Sequence, residues 1–427
     1  MVYWGMSTGQ IPHAFPSPRH RPPEAGSLYE APERLLSTIS SRTGQIPAVL
    51  NIVAPIGYGK TNLAAAVCRS LFSRSIWLSL TEGCADELTF NSDLLLSIRE
   101  AGLPVTGHQD LSNVFQQQSP VCLVLDNLHL LPRGTSGFVL EFFASLPENS
   151  LMVLCADEDH SLPLSRLRID DRVLEIRIED LTATKDELAA FFVRLGSSPS
   201  EEDLELILQK TGGWWACIRL CAISWRQLDA AGRKAFLNQF RATDRFIREF
   251  LTENIDTHLA PEHLDFLRTI SVCTHIRTEL AARLCGIPED RIRNILQELA
   301  SRFILLPIGH GWYRLPVILK QHYCAELDRS SRENLHRRAS GWFQLQHMPK
   351  LASHHLQKAG IQSPLAPRET EILLQAAQGL SNAEIGERLF ISQGTVKWHM
   401  NRILEKLDCS NRTAAVETAR RNGFISG

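Results

Sequence analysis

The 427-residue sequence contains no run of about twenty apolar residues, so nothing in it suits a helix that spans a bilayer. Its first residues hold no continuous hydrophobic segment of the kind a secretory signal requires, and a cytoplasmic location is expected. A large excess of one charge is also missing. With 45 basic and 47 acidic residues the formal net charge is −2, so the chain is no polycation and any nucleic-acid surface must be local. The ten cysteines (68, 84, 122, 155, 217, 221, 273, 285, 324 and 409) form no Cys-x-x-Cys pair, which removes the common zinc and dithiol patterns. They are expected to be reduced thiols, with Cys217 and Cys221 one helical turn apart on a buried face. The histidines, His354 and His355 included, lack ligand spacing and nearby cysteine partners, so capping or solvated roles are expected rather than a metal. No repeat with a period of about 30 to 45 residues is visible.

What is present is a globular composition, 44% apolar and 22% charged, in a chain long enough for two to four domains. Residues 1–27 are rich in Pro, Arg and His; Pro12, Pro16, Pro18, Pro22 and Pro23 leave few ladder or helix hydrogen bonds, and a flexible leader is expected. Residues 28–180 then alternate helices with unalternating apolar strands: 49–53, 75–80, 121–127, 150–155 and 173–176. That pattern predicts an α/β domain with a parallel sheet covered on both faces and a ligand at the carboxyl ends of its strands. From 181 to 244 the chain reads as a helical lid, starting at the Thr184/Glu187 capping box. Residues 245–330 read as short helices followed by a hairpin around Gly309-His310-Gly311, a winged-helix unit. Residues 331–364 are a helical stretch and linker, and 365–427 a four-helix domain.

The organising stretch is Ala54-Pro55-Ile56-Gly57-Tyr58-Gly59-Lys60-Thr61, between an apolar strand and a helix-forming run that begins at Asn62. Strand, glycine loop, Lys-Thr and helix is the order of a P-loop, in which loop amides and a helix N-terminus converge on phosphate. Gly57, Tyr58, Gly59, Lys60, Thr61 and Asn62 are the candidate ATP/ADP-binding residues. Lys60 would reach the terminal phosphates, and Thr61 with Asp126 would hold Mg²⁺. Asp126 closes an apolar strand; Asn127 follows it and can orient a water but cannot take its proton. Asp126 and Asn127 are thus the only catalytic candidates.

In the last domain Ser381/Glu384 forms a capping box and Ser392 caps the next helix. There Val396, Met400, Ile403 and Leu407 make one apolar face, with Gly394, Lys397, Trp398, Asn401 and Glu405 broadly opposite. Two short helices with a tight connection predict a helix-turn-helix for double-stranded DNA. Its candidate contacts are Ser392, Gly394, Thr395, Lys397, Trp398, Asn401, Arg402 and Lys406. Lys397 suits a guanine edge and Asn401 an adenine. Trp398 can pack on sugar or a thymine methyl, or only cover the helix. Between 393 and 421, Lys397, Arg402, Lys406, Arg412, Arg420 and Arg421 outnumber Glu405, Asp408 and Glu417, a local net of +3.

The segments Leu380–Ile385, Leu389–Ser392, Gly394–His399 and Asn411–Val416 closely resemble the LuxR-type helix-turn-helix. With the P-loop upstream, the chain resembles MalT-type regulators of the STAND class of signal-transducing ATPases. The resemblance implies a DNA-binding output gated by ATP/ADP, assembly as a homodimer or larger species on DNA, contact with RNA polymerase and an effector of unknown identity. Several positions depart from that pattern. Ala54 stands for a glycine, Asn127 for a second acid, Cys155-Ala156-Asp157 for a Ser-Arg phosphate sensor, and Trp215 for a lid proline. The histidine pair near Leu315-Pro316-Val317 is missing, as is most of the superhelical sensor domain. These departures weaken hydrolysis and sensing more than binding. Two alternatives remain: a regulator that binds DNA without a working switch, and a P-loop ATPase whose output is chemistry.

Overall fold

The computed structural model describes residues 18–23, 31–42, 48–81, 86–103, 120–131, 135–147, 149–160, 162–346, 348–361 and 363–425. The chain forms two compact units, one of residues 1–239 with 301–303 and one of residues 240–300 with 304–427.

The first unit is built on five parallel strands: β1 (Ala48–Val53), β2 (Ser75–Ser79), β3 (Cys122–Asp126), β4 (Leu151–Ala156) and β5 (Val173–Ile176), in the order β2-β3-β4-β1-β5. The central three are buried along almost their whole length, which is why their sequences do not alternate. Leu78, Phe90, Leu123, Leu125, Phe142 and Leu154 join one core on one side of this sheet. The strand carrying the P-loop and the strand ending in Asp126 are not neighbours; β4 lies between them, in register with both. One helical turn, Ile178–Leu181, and then four longer helices follow, Lys185–Arg194, Glu201–Thr211, Trp215–Arg226 and Ala230–Gln239. Both bonds of the Thr184/Glu187 capping box form, and Ser200/Asp203 makes a second one. Gly212 and Gly213 end the second of these longer helices with φ of 63° and 74°, a left-handed turn from which Trp214 reaches the loop after β1.

Part of the expected flexible leader is packed. Residues 18–20 form a single 3₁₀ turn in which Arg19 pairs with Asp93 at 2.7 Å and His20 bonds Ser97 at 2.9 Å, both on the helix Glu87–Glu100. Here proline stiffens a docked turn instead of preventing structure. The rest of that expectation, residues 1–17 and 24–27, lies outside the described residues.

In the second unit, helices precede a three-stranded antiparallel sheet of β6 (His275–Arg277), β7 (Leu306–Gly309) and β8 (Trp312–Arg314), ordered β6-β8-β7. The β7–β8 turn passes through His310 and Gly311, both at positive φ, the backbone a tight hairpin demands. Helices Val317–Ala325, Arg329–Leu345 and Pro349–Lys358 follow, and then four helices at Pro367–Ala377, Asn382–Leu389, Gln393–Leu407 and Arg412–Arg421. The expected linker does not separate them: Gln344 donates to the Phe424 carbonyl at 2.9 Å, so the helical stretch and the last domain share a face. Its residue 362 lies outside the described residues. Nine cysteines are described, none of them in a disulfide, with Cys217 and Cys221 fully buried as expected. Asp256, His322 and Glu326 gather within 4.8 Å, the kind of group that could take a metal. Instead, His322 and Tyr323 donate to Asp256 and Arg268 to Glu326, so the cluster satisfies its own charges.

Two buried imidazoles face each other between the helices Arg329–Leu345 and Pro349–Lys358: His336 Nδ1 lies 2.8 Å from His355 Nδ1. Burial lowers both, to about 4 for His336 and about 3 for His355, and the neighbouring His354 and Lys320 push the same way. The unfolded chain takes these protons near the ordinary value of 6.5, the folded chain only well below it. Stability is therefore full above pH 6.5 and falls as the pH drops from 6.5 toward 4. Urea unfolding at pH 7 and pH 5 should show this loss. In His355→Phe, where a ring can still stack on Phe343, it should be roughly halved.

Candidate functional site

The P-loop follows β1, whose burial fixes the point where the chain must turn. Gly57 (φ 82°) and Gly59 (φ 86°) adopt the left-handed backbone that makes the loop, and the helix Lys60–Leu71 begins directly after it. First-turn amides of any helix lack intrahelical acceptors, so this end carries partial positive charge. Thr61 Oγ1 lies 3.2 and 3.1 Å from the two carboxylate oxygens of Asp126. Sequence expected that pair from two strands apart, and the fold brings it together. Hydroxyl and carboxylate at this spacing are hard oxygen donors of the kind Mg²⁺ takes. Asp126 is 4% exposed, and burial raises its pKa against the Thr61 hydrogen bond, the charge of Lys60 and the Asn127 amide. Asn127 sits at φ 60°, and its side chain donates to the Leu80 carbonyl at 3.3 Å.

Lys60 is 7% exposed. Its Nζ donates to the Pro55 carbonyl at 3.0 Å and pairs with Asp157 at 2.5 Å. The position expected to lack a phosphate sensor thus holds an acid on Lys60, a contact the sequence reading missed.

The lid closes on the loop through Trp214 rather than Trp215. Trp214 Nε1 donates to the Ile56 carbonyl at 2.9 Å, its ring stacks on Tyr58 with centroids 6.2 Å apart, and the Ala216 amide bonds the Gly57 carbonyl at 3.0 Å. Trp215 is turned into the lid core, edge-on to Phe191. Trp214 and Ile56 are 158 residues apart in sequence, and no local pattern marks such a pair.

In the second unit Ser392 caps Gln393–Leu407 by accepting from the Thr395 amide. Val396, Met400, Ile403 and Leu407 are buried, while Gly394, Lys397, Trp398, Asn401 and Glu405 are exposed, as the spacing predicts, and so are Thr395 and Arg402. Gly386 passes so near the turn that a Cβ there would lie 2.7 Å from the Ile391 carbonyl oxygen. Lys406 Nζ pairs with the buried Glu369 at 2.6 Å, and Arg402 stands 3.7 Å from the same carboxylate and over the Trp398 ring. Arg412 donates to the carbonyls of Ala376 and Leu380. Lys406 and Arg412 are thus turned inward, because an acid and open carbonyls on the helix Pro367–Ala377 and just after it require them, and the +3 overstates the outward charge.

Comparison with known proteins agrees with this layout. Residues 363–419 match the bacterial regulatory proteins of the luxR family, and residues 252–335 match the MalT winged helix domain. The chain is 28% identical over 387 residues to the HTH-type transcriptional regulator MalT of Klebsiella pneumoniae, covering 83% of this chain and 41% of that protein. It is also 28% identical over 358 residues to the serine/threonine-protein kinase PknK of Mycobacterium tuberculosis, covering 77% and 32%. It therefore spans about a third to two fifths of the length of these relatives. Among solved structures, a Walker-type ATPase of Pyrococcus abyssi superposes with a TM-score of 0.50 at 15% identity, over 68% of this chain and 95% of that one.

Gly57→Ala tests the loop–lid contact. Its Cβ would lie 2.6 Å from Ala216 Cβ and 2.7 Å from Trp214 Nε1, on top of an unfavourable φ. A loss of about 1–3 kcal/mol is expected by urea unfolding. Gly102→Ala, at φ 76° with nothing within 4 Å, reports the backbone cost alone and should lose less. The chain thus joins a P-loop NTPase fold to a MalT-type winged helix and a LuxR-type helix-turn-helix.

Proposed function

We propose that this chain is a DNA-binding transcription regulator whose helix-turn-helix is gated by ATP/ADP held on the P-loop. The observation that carries the DNA reading is the recognition helix itself: capped by Ser392, seated by four buried side chains, and presenting Thr395, Lys397, Trp398 and Asn401 to solvent. A helix so anchored can enter a major groove, where Lys397 and Asn401 offer donors to base edges and the helix N-terminus faces phosphate. Arg402 keeps a partly exposed charge above Trp398 and is the second phosphate contact on this face. The MalT and LuxR matches support transcription control as the output, and self-assembly on DNA and contact with RNA polymerase follow from the same reading.

The nucleotide reading rests on Gly57, Gly59, Lys60, Thr61 and Asp126 converging at one end of the sheet. Lys60 and the loop would bind the phosphates; Thr61 and Asp126 would hold Mg²⁺, which would screen phosphate charge. Trp214 and the Ala216 amide tie the lid to the loop backbone, so a ligand that shifts the loop also shifts the lid. Binding, with at most weak hydrolysis, is the role this geometry favours, because Asn127 offers no proton acceptor beside Asp126.

Lys397→Ala and Asn401→Ala should each weaken operator binding about 5- to 150-fold in a gel-shift assay, with helicity unchanged by circular dichroism. Unchanged affinity in both variants would sink the DNA reading. Gating should appear as a shift of about fivefold or more in DNA affinity when Mg-ATP replaces Mg-ADP, abolished by Lys60→Ala. A chain that binds DNA equally well in every nucleotide condition would be the switchless regulator instead.

A further inference from the structure

We infer that Asp157 sets the phosphate-chain length the P-loop accepts, so that the site takes a nucleoside diphosphate in preference to a triphosphate. The inference rests on the nucleotide reading above and adds a specificity residue to it. Asp157 follows directly on β4, the strand lying between the P-loop strand and the strand of Asp126. Its backbone amide is also held, by His129 Nδ1 at 3.4 Å, so the carboxylate is presented from a fixed point at the carboxyl end of the sheet. There it meets Lys60, with Oδ1 2.5 Å from Nζ.

The surrounding charges show why this pairing is selective. Residues 157–159 are Asp-Glu-Asp, three acids in a row. Glu158 stands 3.8 Å from Arg302, and Asp159 pairs with Arg177 at 2.6 Å. The cation paired with Asp157 is the one a P-loop uses on the β- and γ-phosphates. Lys60 is buried, so its ammonium is already neutralised by Asp157 before any ligand arrives. A phosphate cradled by the loop amides can share Lys60 with Asp157. One further phosphate must extend along Lys60 into the space the carboxylate holds, like charge against like charge, where the protein screens them far less than water does.

Isothermal titration of the full chain with Mg-ADP and with a non-hydrolysable Mg-ATP analogue tests this. The wild-type chain should bind ADP at least tenfold more tightly. Asp157→Asn keeps the shape and removes the charge, and should bring the two affinities within about threefold by tightening the triphosphate. Asp157→Ser should do the same, which guards against an effect peculiar to the amide. Equal affinities in the wild-type chain, or a ratio left unchanged by both substitutions while both ligands still bind, overturn the inference and leave the nucleotide site intact. Failure of the wild-type chain and both variants to bind either ligand, or binding that survives Lys60→Ala, overturns the nucleotide reading itself and the inference with it.

Discussion

A buried lysine must have an anion, and the first unit is arranged around that requirement. Lys60 is fixed near the mouth of the sheet by the left-handed turn at Gly59 and by the burial of β1 below it. Taking an ammonium out of water is costly unless it is paired, so some negative group must stand at Nζ in every state of the protein. In the chain by itself that group is Asp157. A phosphate entering the loop therefore competes with, or shares a cation with, a side chain on the neighbouring strand. Because the same loop is bonded through Ile56 and Gly57 to Trp214 and Ala216, whatever resolves that competition acts on the lid as well.

Much of this was legible in sequence where the information is local. The five strands were readable because a strand buried on both faces needs no polar residues, and Val121–Asp126 has none before its end. The helices of the DNA reader were readable because Ser381, Glu384 and Ser392 announce their starts and the apolar spacing announces their inner face. What escaped was set by contacts across long separations. Trp215 was the tryptophan singled out at the lid, yet Trp214 is the ring that reaches the loop while Trp215 packs in the lid core. Glu369 carries no local sign of burial, yet it is 2% exposed and draws Lys406 away from the outer face. Pro18-Arg19-His20 looked disordered by composition, but two partners one helical turn apart, Asp93 and Ser97, hold it down.

The two ends of the chain treat their cations in the same way. In the reader, Lys406 and Arg412 close the helical domain on itself, which leaves Lys397 and the partly exposed Arg402 on the recognition helix. Fewer free cations mean a smaller electrostatic share in DNA binding and a larger one for base edges, since each neutralised phosphate adds affinity without sequence information. A reader of this kind gains from a second copy on the DNA, because one weakly charged domain holds little phosphate by itself.

The P-loop faces the opposite constraint, and it bears on whether the site is a clasp or a catalyst. Hydrolysis needs a group beside Asp126 that can accept or direct a proton of an attacking water. Asn127 follows Asp126 but turns through φ 60°, and its amide nitrogen is spent on the Leu80 carbonyl. Asp126 is engaged by Thr61 and by the Asn127 backbone amide, and Asp157 by Lys60. Asp126 and Asp157 are thus already committed to holding Thr61, the Asn127 amide and Lys60 in place. Groups committed in this way can register which phosphates are present through the contacts they give up. On the proposed reading, that is the chemistry of a switch, which needs binding more than turnover.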